Sequence, residues 1–155
     1  MSIEVNIERK MIFRLGASSG IGRELVKQLV RHSPTTKLII SARREQELHA
    51  LQKELNLDFQ QCLVLPLDLE LQQDCFKSKV DLALERFGRI DVLINNAGIS
   101  QRSLIQETVY KVDSRLMNIN FLGTVTLTKA VLPVSRMGLM RMNILRGFFF
   151  FSAFY

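Results

Sequence analysis

The stretch Leu15-Gly16-Ala17-Ser18-Ser19-Gly20-Ile21-Gly22 joins an apolar run to a segment of helical spacing, and it decides the fold. Gly16 permits a tight reversal, Gly20 lets the backbone approach a pyrophosphate, and Gly22 lets the next helix pack closely on the strand. That helix offers free amides and a positive dipole to an anion. A plain strand-to-helix turn is the alternative. No Gly-Lys-Ser or Gly-Lys-Thr follows, which argues against the phosphate loop of a nucleotidase.

On both sides of this turn, apolar runs alternate with segments of helical spacing. We predict strands over residues 10–15, 37–42, 61–65 and 90–94, and helices over 21–30, 43–55, 71–87 and 107–132. This alternation is typical of βαβ units, which place successive strands parallel in one sheet. The chain is therefore predicted to be an α/β protein.

The composition is that of a globular chain. It has 155 residues, the length of a single domain, with 47% apolar and 23% charged residues, which argues against a disordered, collagen-like or coiled-coil chain. The net charge of +6 would suit a nucleic acid partner, but no carboxylate follows Asp113, so the excess belongs to the last quarter. That quarter has no recognition motif, and we expect no nucleic acid partner.

Several features predict a cytoplasmic location. No apolar stretch approaches the roughly 20 residues that span a bilayer, and the first ten residues do not resemble a secretory signal. The two cysteines, Cys62 and Cys75, have neither metal-ligand nor disulfide spacing. His32 and His49 are not accompanied by other ligand residues, so we expect no metal site.

Four motifs, in the same order, resemble those of the short-chain dehydrogenase/reductase family. The glycine-rich stretch is similar to the family's cofactor loop, and Asp68 to its adenine-contacting aspartate. Asn95-Asn96-Ala97-Gly98 resembles the family's most recognisable motif, and Asn120 falls at the asparagine of its catalytic tetrad. The stretches Ser41-Ala42-Arg43-Arg44 and Gly88-Arg89-Ile90-Asp91 are similar to a subgroup related to dehydrogenase/reductase family member seven. The resemblance covers residues 10 to 133.

The resemblance implies a Rossmann-type fold and hydride transfer between a nicotinamide and a carbonyl or alcohol carbon. We expect a truncated, doubly wound parallel sheet of strand order 3-2-1-4, with helices on both faces and a ligand crevice at the carboxyl ends of strands one and four. Asn95 and Ala97 would line the nicotinamide side. The residues expected to bind the cofactor are Gly16, Ser18, Ser19, Gly20, Ile21, Gly22, Arg43, Arg44, Asp68, Leu69, Asn95, Ala97 and Gly98.

The residues after the second strand favour NADP(H) over NAD(H). An acidic side chain there would accept hydrogen bonds from both ribose hydroxyls of NAD and would repel the additional phosphate of NADP. This chain has Arg43 and Arg44 instead, and a guanidinium offers a planar, charged fork to a 2'-phosphate. The alternative is that both arginines are simply solvated at the start of a helix.

The catalytic pair that the family uses is missing from this sequence. Members have a tyrosine as proton donor or acceptor, with a lysine four residues later that lowers the tyrosine pKa. The two tyrosines here are Tyr110, four residues before Ser114, and Tyr155. Asn120 is thus the only member of the tetrad that we place, and we expect little or no turnover from the isolated chain.

The resemblance ends at about Pro133, which divides the chain into an NADP-binding half at residues 1–133 and an atypical apolar and basic tail at 134–155. We interpret the chain as a truncated or aberrant NADP-dependent oxidoreductase. The alternative is a non-catalytic module that binds a dinucleotide or pairs with a partner, as a homo- or hetero-oligomer, through the helix at 107–132.

Two further expectations concern the sheet. Arg14 is unusual in the central strand of a parallel sheet, which is normally buried on both faces. Either it reflects drift, or it lies at the strand end and extends toward solvent. Strand four is expected to leave an exposed apolar edge unless the tail or another chain covers it.

Overall fold

The computed structural model describes residues 10–71 and 73–134. These residues form a four-stranded parallel sheet of order β3-β2-β1-β4, which confirms the predicted order. Each strand is a little shorter than its apolar run, because the flanking residues turn away into the connecting loops. The strands are β1 (Met11–Leu15), β2 (Lys37–Ser41), β3 (Cys62–Val64) and β4 (Val92–Ile94).

Helices connect the strands and cover both faces of the sheet. In the described ranges they are α1 (Gly20–His32), α2 (Glu45–Glu54), α3 (Phe76–Phe87), α4 (Tyr110–Met117) and α5 (Thr124–Val131). Gly88, with φ of +76°, ends α3 in the left-handed conformation that favours glycine. None of these helices combines the length and the apolar character needed to cross a bilayer.

The helix predicted over 107–132 differs from the prediction. Residues Ile105–Glu107 form a separate 3₁₀ turn, and α4 begins only at Tyr110, after an extended Val109. A π-helical segment, Asn118–Gly123, then separates α4 from α5. Gly123 lets this segment pack closely on Leu69, because a Cβ at residue 123 would lie 2.4 Å from the carbonyl oxygen of Leu69.

The alternation of side chains along β1 divides the core into two clusters. Met11, Phe13 and Leu15 point to one face, where they pack against apolar residues of α3 and α5. Ile12 points to the other face, with apolar residues of α1 and α2. This is the arrangement of a doubly wound sheet, in which strands covered on both faces are apolar throughout.

Arg14 is the exception within β1, and the expectation that it extends to solvent is wrong. Its side chain is fully buried, at 0% exposure, on the face that carries Ile12. It is the fourth of five strand residues, flanked by Ile40 and Ile94 on the neighbouring strands, so the sheet leaves it no route to the surface.

Asp91, directly before β4, is hydrogen-bonded to the first residue of β1. Its Oδ2 accepts a hydrogen bond from the Met11 amide at 2.8 Å, and Arg89 Nε donates to both carboxylate oxygens at 2.9 and 2.8 Å. Partial burial raises the pKa of Asp91, but these hydrogen bonds and the charge of Arg89 outweigh it, so the pKa lies below its ordinary value.

The second edge of β4 has no strand beside it in the part of the chain described. The side chains are nevertheless covered, because Leu93 and Ile94 are 1% and 6% exposed. The expected exposed edge of β4 therefore presents backbone groups, whereas its apolar side chains are buried. The segment at residues 135–155, including Tyr155 and most of the predicted tail, lies outside the described residues.

Candidate functional site

A cleft lies where the four strands end at their carboxyl side. Its volume is about 210 Å³, several times the roughly 30 Å³ that one water molecule occupies. A parallel sheet of this order binds ligands at this edge, where the loops after β1 and β4 separate. Ten of the predicted cofactor residues line the cleft: Gly16, Ser18, Ser19, Gly20, Arg43, Arg44, Asp68, Leu69, Ala97 and Gly98.

Three predicted residues lie beside the cleft rather than in its wall. Ile21 is half-exposed on α1, Gly22 is buried between α1 and the sheet, and Asn95 is buried below the loop that follows β4. The wall also includes Ile99, which the resemblance implies would lie near the nicotinamide ring, and five residues that the sequence reasoning did not place in the site: Leu15, Ala42, Leu67, Asn96 and Ile119. All except Ile119 lie next to predicted residues at the strand ends, so strand position was the available signal.

The glycine-rich turn brings two loops into contact. Gly16 has φ of +69°, and a Cβ there would lie 2.9 Å from both the amide nitrogen and Cα of Ala97. Gly20 has φ of +56°, but a Cβ there would meet nothing within 4 Å. The turn is therefore closed against the loop after β4 at Gly16 and faces open space at Gly20.

The N-terminus of α1 adjoins this open space. Its N-cap residue, Ser19, is extended and makes no side-chain hydrogen bond to the helix. The first amides of a helix have no partner within the helix, and here no capping side chain takes their place. These amides and the helix dipole can therefore receive an anionic ligand.

Two arginines stand beside the turn. Arg43 and Arg44 follow β2 and are exposed at the cleft. Arg44 Nη2 donates to Ser18 Oγ at 3.3 Å, which links the loop after β2 to the glycine-rich turn. The two positive charges thus lie at one end of the cleft.

Asp68 occupies the loop that follows β3. Its Oδ1 accepts a hydrogen bond from the Glu70 amide at 2.8 Å, which fixes the loop as a turn around buried Leu69. The backbone of Leu69 is in turn packed against Gly123 of the π-helical segment. The π-helical segment therefore supports the loop of Asp68 and Leu69 at the wall of the cleft.

Asn120 lies in the π-helical segment and holds the loop after β4. Its Oδ1 accepts from the Ile99 amide at 2.9 Å, and its Nδ2 donates to the Ile99 carbonyl at 2.9 Å. The side chain of Asn120 thus pairs both the amide and the carbonyl group of Ile99. In this structure Asn120 positions the loop, and a single wide turn of π-helix brings it there.

The adjacent asparagines of the same loop have different surroundings. Asn95 Nδ2 donates to Thr128 Oγ1 of α5 at 3.1 Å, so its amide points to the helix. Asn96 lines the cleft, and its Oδ1 is buried with no hydrogen-bond partner among the described residues. A buried amide oxygen of this kind is normally satisfied, which indicates that a ligand group or water completes it.

The proton-transfer chemistry of the family has no counterpart among the described residues. Tyr110, the only tyrosine in this part of the chain, is 84% exposed at the start of α4. Tyr155 lies outside the described residues. Across 10–71 and 73–134, no group of three His, Cys, Asp or Glu side chains could hold a metal ion.

The geometry fits a dinucleotide. Free amides at α1 and open space at Gly20 suit a diphosphate, and the arginines beside the glycine-rich turn suit a further phosphate. Asn96 also lines the cleft, and its buried Oδ1 has no hydrogen-bond partner among the described residues.

Comparison with known proteins agrees with this geometry. The family described as short chain dehydrogenase matches residues 10–139. Dehydrogenase/reductase SDR family member 7 from Mus musculus is 45% identical over 127 residues, which cover 79% of this chain and 37% of that protein. The chain therefore spans well under half the length of this relative.

Two solved structures share the fold. A glucose/ribitol dehydrogenase-type short-chain dehydrogenase/reductase from Brucella melitensis superposes with a TM-score of 0.76 at 28% identity, covering 86% of this chain and 55% of that one. A metagenomic short-chain oxidoreductase in complex with NADP has a TM-score of 0.72 at 23% identity, and the superposition covers 82% of this chain and 57% of that one. Together with the family match over most of the chain, these findings establish that the chain belongs to the short-chain dehydrogenase/reductase family.

Proposed function

We propose that this chain is the cofactor-binding half of an NAD(P)(H)-dependent oxidoreductase acting on carbonyl or alcohol groups, with a preference for NADP(H). The observation that carries the proposal is the cleft at which an uncapped α1 N-terminus meets two arginines. A family member of this kind would work in the cytoplasm, where Cys62 and Cys75 stay reduced as the free thiols seen here.

Each loop has a separate part in binding. The glycine-rich turn, from Gly16 through Ser18, Ser19, Gly20 and Ile21 to Gly22, would hold the diphosphate against the amides of α1. Asp68 and Leu69 would contact the adenine. The loop of Asn95, Ala97 and Gly98, kept in place by Asn120, would support the nicotinamide ring. When bound, the nicotinamide supplies the hydride donor or acceptor.

The charge at the ribose end supports NADP(H). The three residues directly after β2 are Ala42, Arg43 and Arg44, so there is no carboxylate at the strand end, where one would recognise the ribose hydroxyls of NAD. Arg44 is held at Ser18, and Arg43 is exposed beside it, so the pair surrounds the place where a 2'-phosphate would lie. A charge-assisted hydrogen bond of this kind contributes about 1.5–3 kcal/mol.

We also propose that the chain, as the sequence stands, binds the cofactor without catalysing turnover. It contains no Tyr-x-x-x-Lys, and its Tyr110 is exposed at the start of α4 and does not line the cleft. Asn120 uses both amide atoms to hold Ile99. Without the tyrosine and lysine of that pattern, the proton step that accompanies hydride transfer lacks the donor that the family uses.

A second candidate is a partner-binding module without catalysis. Several apolar side chains are exposed along the helical region predicted as an interface, which favours association with another copy or with a longer relative. They are Val109, Met117, Phe121, Leu122 and Leu132, exposed by 62, 47, 37, 45 and 44%.

Titration with NADPH and NADH tests the cofactor proposal. We expect wild-type protein to bind NADPH more tightly, and we expect Arg43→Ala and Arg44→Ala each to weaken NADPH by about tenfold or more while changing NADH little. Arg31→Ala is the matched control, since Arg31 is an exposed arginine at the far end of α1. Equal affinity for both cofactors in all variants would refute the NADP preference, and absence of binding by the wild type would refute the cofactor site.

A further inference from the structure

Arg14 is a fully buried cation that the cofactor proposal does not use. It lies in the central strand with apolar Ile40 and Ile94 beside it. Within the described residues, no carboxylate forms an ion pair with it. Burial without such a partner lowers the pKa of Arg14 to about 10, which still leaves the guanidinium charged at neutral pH.

The guanidinium is only partly satisfied by hydrogen bonds. Nη1 donates to the Leu15 carbonyl and reaches the Ile94 carbonyl at 3.4 Å. Nε and Nη2 are buried and have no partner in the described part of the chain. Buried charges in proteins are normally paired and fully hydrogen-bonded. A negative group near the Arg14 guanidinium would therefore offset the cost of burying its charge.

The unpaired end points to the first turn of α1. A Cβ on Gly22 would lie 2.9 Å from Arg14 Nη2, which places the guanidinium directly behind that turn. On its other side the same turn presents the uncapped amides after Ser19 and the open space at Gly20. The helix N-terminus and the buried cation therefore add their positive potentials at one place.

We propose that Arg14 is an electrostatic positioning residue for the diphosphate of the dinucleotide. It acts through the turn, without touching the ligand, and it strengthens the attraction of the α1 amides for phosphate oxygens. Because little water separates the charge from the turn, the attraction is screened less than a surface charge would be. The bound diphosphate in turn offsets the unfavourable burial of the cation. This inference rests on the proposed cofactor site.

Removing the charge of Arg14 should weaken cofactor binding and, at the same time, stabilise the ligand-free fold. Arg14→Met keeps an unbranched apolar stem but removes the guanidinium and its charge. We expect this variant to unfold at higher urea concentration than the wild type without ligand, since an uncompensated buried charge is gone. We expect its dissociation constants for NADPH and NADH to rise by a common factor of about ten, because both cofactors carry the diphosphate.

Two further variants separate charge from structure. Arg14→Lys keeps the charge, and its affinity for both cofactors should stay within about threefold of the wild type. Arg23→Met removes a cation that also belongs to the first turns of α1 but is partly exposed and paired with Glu54 at 2.6 Å, so cofactor affinity should be unchanged. Binding is followed by cofactor fluorescence for NADPH and by competition against NADPH for NADH.

Each result decides the question. Wild-type affinity in a folded Arg14→Met variant overturns the proposal, and so does a variant that fails to fold, because the guanidinium would then be a structural partner rather than an uncompensated charge. A loss confined to NADPH would also overturn it, since that points to the 2'-phosphate. Failure of the cofactor site itself is recognised separately, as absence of binding by the wild-type protein.

Discussion

Replacing Gly22 by alanine tests how tightly α1 is seated on the sheet. The added Cβ would lie 1.8 Å from the Gly16 carbonyl oxygen, whereas real Cβ atoms almost never come closer than 3.0 Å. The turn or the helix must therefore move by about 1.2 Å, the difference between these two distances. Overpacking of this kind costs about 1–3 kcal/mol, and because the obstacle is backbone the upper part of that range applies. Alanine recovers about 0.5–1 kcal/mol as the better helix former, so we expect a net loss of about 2 kcal/mol.

Urea unfolding followed by circular dichroism measures this loss, with Gly20→Ala as the matched control. Gly20 has φ of +56° but open space around its Cβ position, so its alanine variant carries only the backbone strain of about 1 kcal/mol. We also expect Gly22→Ala to bind NADPH more weakly, because the displaced turn carries the amides. A loss of less than about 0.5 kcal/mol, or one smaller than that of Gly20→Ala, would refute the close seating of the helix.

Three further predictions concern other parts of the structure. Asn120→Ala removes both hydrogen bonds to the Ile99 backbone, and we expect a loss of about 1–3 kcal/mol in the free energy of unfolding; an unchanged urea midpoint would contradict the role of this side chain. The pKa of Asp91 is lower in the folded chain than in the unfolded one, so its stabilising contribution is present above the unfolded pKa, near 4, and is lost as the pH falls through the folded value. Asp91→Asn should therefore be less stable at pH 7 and should lose less on acidification, as measured by thermal unfolding between pH 2 and 7. Burial raises the pKa of the Cys62 thiol to about 12, whereas Cys75 is exposed, so we expect an aromatic disulfide reagent to titrate one thiol rapidly and the second only after unfolding.

The sheet could be predicted from the sequence because strand and helix periods differ. The stretches at 38–40 and 92–94 are apolar without alternation, which is what a strand covered on both faces requires. The glycine-rich turn between β1 and α1 indicates the position of the crevice, because such a turn lies at the carboxyl end of the strand. The strand order came from the resemblance to the short-chain dehydrogenase/reductase family, which implies the order of a Rossmann-type sheet.

The interruption of the helix between α4 and α5 could not be predicted in this way. Periodicity reports which face of a helix is apolar, and one extra residue in a turn changes that pattern too little to detect. What determines the π-helical segment is tertiary: the close approach of Gly123 to the backbone of Leu69 and the reach of Asn120 to Ile99. Neither contact is local in sequence.

The surroundings of individual side chains also could not be predicted from the sequence. A strand pattern predicts that Arg14 shares a face with Ile12, but only the neighbouring elements decide whether a long cation finds solvent, and here they do not allow it. Likewise the motif Asn95-Asn96 marks a loop without indicating which amide faces the cleft. The contact of Asn95 with Thr128, a residue 33 positions later, settles it.

The division of the core by β1 also has a kinetic consequence. The two apolar clusters have no side chain in common, so the helices on one face can detach while those on the other remain packed. The amide hydrogens of β1 lie between β2 and β4 and beneath both clusters, and they exchange with solvent only when both layers have opened. In hydrogen–deuterium exchange, β1 would therefore report global unfolding, whereas the three-residue strands β3 and β4 at the edges would report the smaller openings that precede it.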